Sequence, residues 1–415
     1  MPESAAEPLE PLSHRAGVVS PAGSTIEVLL AFFWLGLTSF GGPIAHLSYF
    51  RTDIVARRRW LDEAAYADIV ALCQFLPGPA SSQVAVSLGI LRAGLRGGFA
   101  AWLGFSMPSA MALIVFGYGV GAAGDLNHAA WLHGLKIVAV AVVAQAVWGM
   151  ARNLCPDRAR ATLAIGAALL ALAVPSALGQ IGAIAIGAVI GWRWPSGAAN
   201  RPVGALSFSI NRTVAVGALI AFVMLLLGLP IASATDIHFV QLADAFYRSG
   251  ALVFGGGHVV LPLLQRAVVP PGWLSNDAFL AGYSAAQAVP GPLFTFAAYL
   301  GTVMEPAPNG ALGGLICLVA IYLPSFLLLI GILPFWDALR RQTGVQAALR
   351  GVNAAVVGLL LAALYTPVWT SGIGGSRDFG IGIAAFLALV FWRMPPWLVV
   401  IGGSAAASGL SALPL

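Results

Sequence analysis

Apolar residues run along this chain in thirteen long blocks, divided by short polar or glycine- and proline-containing gaps. The blocks cover roughly 24–50, 64–91, 97–121, 130–151, 159–175, 178–194, 211–232, 241–266, 277–303, 309–336, 346–369, 377–393 and 395–412. Most reach the roughly 17–25 residues that a helix needs to cross a bilayer. Those near 159–194 and 377–412 are short, and the pattern pairs them as hairpins. Two blocks are interrupted by the same phrase. Gln74-Phe75-Leu76-Pro77-Gly78-Pro79 recurs as Gln287-Ala288-Val289-Pro290-Gly291-Pro292. Two prolines around a glycine break a helix, and a duplicated break at membrane depth points to a transport site.

The duplication extends beyond this phrase. Gly36 and Phe40-Gly41-Gly42 match Gly250 and Phe254-Gly255-Gly256, and Trp60-Leu61 matches Trp273-Leu274. Pro108-Ser109 matches Pro324-Ser325, and Gly134-Leu135-Lys136 matches Gly351-Val352-Asn353. The expected organisation is a polar tail over 1–23, a first membrane repeat over 24–194, a linker with an extra helix over 195–240, and a second repeat over 241–412. The tail lacks the basic start and apolar core of a cleavable signal, so the first apolar block is expected to direct insertion.

Composition agrees with lipid as the solvent. Hydrophobic residues make up 59% of the 415 and charged residues 9%, against roughly 25% charged in soluble domains. The net charge of +5 rests on arginine, with Lys136 the single lysine. No basic stripe with interleaved aromatics is present, so nucleic acid is not an expected partner. Cys73, Cys155 and Cys317 are scattered and have no metal-ligand spacing. No cofactor is implied.

Arginine placement tests the sense of the repeats, because short cytoplasmic loops collect positive charge. Arg92 and Arg96 follow the second block, whereas the equivalent loop has only Glu305. Asp125 follows the third block, whereas its equivalent carries Arg340, Arg341 and Arg350. The bias flips between halves, which predicts inverted repeats, with the odd seventh block supplying the extra crossing. Arg51 and Arg57-Arg58-Arg59 disagree with thirteen simple spans. Re-entrant first and second blocks, with tips at Gly41-Gly42-Pro43 and Pro77-Gly78-Pro79, remove the conflict. Full spans with unwound centres are the alternative. The fold class expected is an all-α polytopic membrane protein of two inverted repeats with broken or re-entrant helices at the midplane.

A helix that starts after Pro-Gly-Pro offers backbone N–H groups and a positive dipole end. These belong to Ala80-Ser81-Ser82-Gln83 and to Leu293-Phe294-Thr295, and such ends bind anions. Gly41-Gly42 and Gly255-Gly256-Gly257 are candidate N–H nests. Ser81, Ser82 and Thr295, with Gln74, Gln83 and Gln287, add neutral donors. Charges within apolar blocks are costly and mark further candidates. Lys136 reads either as an anion attractor or as a snorkelling side chain. Arg248 follows Asp244 by four residues, as a structural pair or a substrate contact. Glu27, Asp68, Asp244, His46 and His258 are the coupling candidates. Glu27 also suits an interface, and the histidines also suit packed positions. Trp60 and Trp273 read as interfacial.

These motifs resemble the chromate ion transporter family, often called ChrA proteins. The residues carrying the likeness are Phe40-Gly41-Gly42-Pro43, Gln74 through Pro79, Phe254 through Pro262, and Gln287 through Pro292. The likeness extends over about 25–395, in the two-domain, long-chain form. It implies a multi-pass protein of the cytoplasmic membrane that exports chromate and confers chromate resistance, with sulfate as a related oxyanion. The second glycine break has Gly257 where Pro43 stands, so the halves differ in stiffness. The residues alone call for a small anion. A channel-like anion pore is the other transport reading. An enzyme would need a catalytic constellation, and neither His-Glu-x-x-His nor Gly-x-Ser-x-Gly occurs. A homodimer is left open.

Overall fold

A computed structural model describes residues 23–40, 42–122, 130–193, 210–235, 237–254, 257–339 and 342–411. Among them there is no strand. The first half comprises α1 (Thr25–Thr38), α2 (Gly42–Phe50) with a π-helical extension (Arg51–Arg57), α3 (Glu63–Phe75) and α4 (Ala80–Ala122). It ends with α5 (Ala130–Leu154), α6 (Arg158–Ala173) and α7 (Ala177–Arg193). Helix α8 (Arg212–Ala232) joins the halves. The second half has α9 (His238–Ala251), α10 (Val260–Val268), α11 (Asn276–Ala288), α12 (Phe296–Val303) and α13 (Gly310–Ile332). It continues with α14 (Trp336–Leu339), α15 (Thr343–Ala363), a π-helical turn (Leu364–Trp369), α16 (Thr370–Gly372), α17 (Ser376–Val390) and α18 (Pro396–Ser411).

The helices start where the sequence supplies caps. Asp62 accepts the Ala65 N–H at the head of α3, and Ser275, its repeat equivalent, accepts the Ala278 N–H at the head of α11. Ser24 caps α1 and Asn211 caps α8 in the same way. Helix α4 is broken at Ala93–Gly94, which divides it into a short and a long limb.

The first two apolar blocks are re-entrant. The Trp60 indole N–H donates to Glu27 at 3.2 Å, Arg92 donates to the same carboxylate at 3.0 Å, and the Gly23 N–H donates to the Arg92 carbonyl at 2.9 Å. The start of α1, the chain after α2 and the end of the short limb of α4 therefore meet at one end of the bundle. In the second half His238 packs edge-on against Trp273 at 4.8 Å, and the Glu305 N–H donates to the Trp273 carbonyl at 3.0 Å. The start of α9, the chain after α10 and the end of α12 likewise share a base.

The two bases are at opposite ends. The long limb of α4 leaves the first base at Leu95 and reaches Tyr118, whose hydroxyl accepts the Ala311 N–H at 2.8 Å beside the second base. Residues 95–122 rise about 42 Å at helical pitch. The repeats are thus inverted. Trp60 is buried at the first base, where its indole N–H donates to Glu27.

Two packed groups result. In one, α1 lies along α4 and α9 along α13, with α8 against both α9 and α13. Gly36 and Gly250 permit the close approach, since a Cβ on Gly36 would meet the Gly104 carbonyl at 2.8 Å and one on Gly250 would strike the Ile321 carbonyl. In the other group each half's last hairpin packs on the partner half: α6 and α7 on α15, α17 and α18 on α5. The outward face of α1 is Ile26, Leu30, Phe33, Trp34 and Leu37, a surface suited to lipid. Five helical stretches among the described residues are long and apolar enough to cross a membrane: Ala80–Ala122, His133–Leu154, Arg212–Thr235, Gly310–Phe335 and Thr343–Gly372.

Candidate functional site

The Pro-Gly-Pro tips are placed by a crossed exchange between halves. The Gly78 N–H donates to the Val253 carbonyl at 2.6 Å, and the Gly291 N–H donates to the Ser39 carbonyl at 2.9 Å. Each tip thus docks on the chain just past the first helix of the other half. Both glycines have positive φ, +124° at Gly78 and +100° at Gly291, which a side chain rarely adopts. A Cβ at Gly78 would meet Ser325 Oγ at 2.5 Å, and one at Gly291 would meet Ser109 Oγ at 2.8 Å. The aligned Pro108-Ser109 and Pro324-Ser325 pairs are therefore the surfaces on which the opposite tips rest.

The helix starts differ from the expectation in detail. The Gln83 N–H is taken by the Pro79 carbonyl at 2.9 Å and the Thr295 N–H by the Pro292 carbonyl at 3.1 Å. Closure of the first turn removes these two from the set of free amides. The Thr295 hydroxyl also turns back to the Pro292 carbonyl, at 2.7 Å. Gln83 donates its side-chain amide to the Pro77 carbonyl at 2.8 Å and so braces the first tip. His46 from α2 is buried, with Nδ1 at 3.2 Å from Ser81 Oγ and its ring edge-on to Phe105.

Around the tips lies a group of buried neutral donors without a hydrogen-bond partner: the hydroxyls of Ser39, Ser82, Ser106, Tyr322 and Ser325, and the amide nitrogen of Gln287. Tyr322 links the two halves of this group. Its ring centroid is 5.6 Å from that of Phe294, beyond the second tip, and its hydroxyl faces Ser82 and Ser106 without completing a bond to either. Buried hydroxyls and amides left unsatisfied cost roughly 1–3 kcal/mol each, so such a cluster suits polar company, whether water, one another or an anion. Neutral donors and helix starts can bind a dianion without a fixed opposing charge.

The remaining candidates are dispersed. Gln74 lies on an exposed face of α3, with Asp68 partly exposed one and a half turns earlier. Asp244 and Arg248 form an ion pair along α9, with Asp244 buried; Asp244 Oδ1 and Arg248 Nε have no partner. His258 Nδ1 is 2.8 Å from the Tyr283 hydroxyl. Glu27 is in the first base, bonded to Arg92 and Trp60. Lys136 is at the second base, 3.1 Å from Asp277, so its charge is matched within the protein. Gly42 begins α2, whereas Gly41, Gly255 and Gly256 lie outside the described residues. Ser39, Ser106 and Tyr322 escaped the sequence reading, because an isolated serine or tyrosine in an apolar block has no signature. Ser325 did have one, as the partner of Ser109 in the repeat.

Comparison with known proteins fits this architecture. The family model described as "Chromate transporter" matches residues 26–192 and again 240–408. The chain belongs to the chromate transporter family. It is 26% identical to a chromate transport protein of Pseudomonas aeruginosa, over 99% of this chain and 98% of that one. It is 24% identical to a chromate transport protein of Cupriavidus metallidurans, over 98% of each. The uncharacterized transporter YwrA of Bacillus subtilis is 31% identical over 39% of this chain and 91% of its own length, so one repeat's worth of sequence makes up most of a shorter relative. No solved structure matches.

Proposed function

We propose that this protein is a secondary transporter that exports chromate, a tetrahedral oxyanion, across the cytoplasmic membrane, with sulfate as the closest chemical alternative. The observation that carries the reading is the cluster of unpartnered buried donors between two inverted Pro-Gly-Pro tips. The names of the relatives supply the oxyanion. The starts of α4 and of the turn before α12 add amide hydrogens and dipole ends of favourable sign. Ser39, Ser82, Ser325, Tyr322 and Gln287 are the proposed direct donors, with Ser81 positioned by His46. Pro77, Pro79, Pro290 and Pro292 hold the tips in shape and Gly78 and Gly291 let them dock.

The chain carries no Walker motif, so an ion or anion gradient is the proposed driving force. The arginine-rich end, with Arg57, Arg58, Arg59 and Arg92, is assigned to the cytoplasm. Residues 24–194 and 241–412 are the two transport repeats, joined by 195–240. Flux of chromate and of sulfate in proteoliposomes tests this, with the proton gradient and the trans anion varied separately. Saturable flux that follows one of the two gradients is expected. Non-saturating conductance indifferent to both would replace the transporter with a pore.

A further inference from the structure

The two repeats are alike in sequence but not in packing. Helix α11 lies against α5 and α18, whereas α3, its twin, makes no comparable contact with α15 or α7 among the described residues. The difference registers position by position. On α3, Ala64, Ala67, Ala71 and Gln74 are exposed, on one face at helical spacing. Their equivalents on α11 are Asp277 and Gln287, half-buried, and Leu280 and Ser284, buried. Two bonds close that second face: the Ser284 hydroxyl donates to the Leu135 carbonyl at 2.5 Å, and Lys136 pairs with Asp277 at 3.1 Å.

The open face of α3 does not have the chemistry of a lipid surface. It offers methyl groups and an amide, with Asp68 and Glu63 alongside, where the lipid-facing side of α1 offers Ile26, Leu30, Phe33, Trp34 and Leu37. A helix face at membrane depth that is built of small residues, with an amide on it and carboxylates alongside, belongs beside water or protein. It runs from the arginine-rich base inward and ends at Gln74, three residues before the first tip.

We infer that this face of α3 is the wall of an aqueous path by which the anion moves between the arginine-rich end and the tips, and that the matching face of α11 is the same path closed. The inference rests on the transporter reading above. Inverted repeats with unequal packing describe one state and, by exchange of roles, a second. In the second state α3 closes on α15 and α7, bringing Ala71 to Val352 as Ser284 now meets Leu135, and α11 parts from α5 and α18. An anion entering from one end then leaves by the other.

The test uses the full chain with Cys73, Cys155 and Cys317 replaced, carrying A67C, A71C, L280C or S284C singly. A membrane-impermeant maleimide is applied to oriented vesicles from either side. A67C and A71C are expected to react from the arginine-rich side, at least about tenfold faster than L280C and S284C react from either side, because thiolate forms in water and not in packed protein or lipid. Chromate or sulfate turnover is expected to slow the first pair and expose the second. Unreactive A67C and A71C, or reaction only with a lipid-soluble reagent, would overturn the path. Labelling is read without flux, so the two readings fail separately. Inert α3 positions in a chain that still moves chromate overturn the path alone. The expected labelling in a chain that moves neither anion supports the path and removes the substrate assignment.

Discussion

The amide of Gly78 reaches across the molecule to the carbonyl of Val253, 2.6 Å away, and Gly291 repeats the contact with Ser39 at 2.9 Å. These two bonds turn a pair of helix breaks into a single interior structure shared by both halves. Neither tip can shift without disturbing the break in the opposite repeat.

The seat of the first tip can be probed through Ser325. Gly78→Ala forces a side chain into φ +124° and drives its Cβ to 2.5 Å from Ser325 Oγ. The backbone term alone is of order 1–3 kcal/mol. A lower Tm in detergent is expected, with partial recovery in G78A/S325G, because the second change removes the Ser325 contacts and leaves the backbone strain and the approach to Gln83 Nε2 at 2.9 Å. Equal Tm for the single and double variants would show that Ser325 is not the obstruction.

The first base is held by one carboxylate. Glu27 accepts from both Arg92 and Trp60, so Glu27→Gln should cost up to about 1.5–3 kcal/mol, the range for hydrogen bonds to charged groups. Thermal unfolding of E27Q, R92Q and the pair together checks it. The double variant is expected to lose less than the sum, whereas strict additivity would mean that the two side chains do not interact.

Much of this fold could be read from the chain, and the reason is symmetry. Repetition of Gly36, Trp60 and the Pro-Gly-Pro phrase fixed which segments correspond, and the misplaced arginines at 57–59 pointed to hairpins whose bases the Glu27–Arg92–Trp60 cluster now defines. What periodicity does not carry is the partner of a side chain across the bundle. Asp277 lies 141 positions from Lys136, and nothing in the local sequence of either links them. The crossed bonds of the tip glycines Gly78 and Gly291, candidate anion-site residues by sequence, likewise depend on how two halves dock. Ala64, Ala67, Ala71 and Gln74 share one helix face by spacing, but the meaning of that face depends on the buried twin in α11.

Lys136→Ala bears on that closed face. Lys136 is paired with Asp277, so the substitution is expected to change the maximal rate of anion flux and leave KM within about twofold. K136D/D277K, with the charges exchanged, should restore the rate. A large rise in KM with an unchanged maximal rate would instead return Lys136 to the anion site.

Asp157 gives a pH dependence outside the spanning helices. It accepts the Arg160 N–H at 2.9 Å and the Arg160 side chain at 2.6 Å, and these bonds lower its pKa from the ordinary 3.8. A depressed folded-state pKa stabilises above the unfolded value, and the contribution fades as pH falls through the folded one. Asp157→Ala should therefore lower Tm at neutral pH, and the gap from wild type should close in acid below the ordinary value of 3.8. A gap independent of pH would assign the loss to something other than the carboxylate.

The central claim is that the two docked tips form the anion site, and chromate flux through Gly78→Leu and Gly291→Leu tests it most directly. Each variant would be compared with wild type at matched membrane insertion, in the same proteoliposomes. The account predicts that flux is abolished in both, since leucine is strained at these backbone angles and its Cβ would meet Ser325 or Ser109 at under 3 Å. Wild-type flux through either variant, at equal insertion, would contradict it.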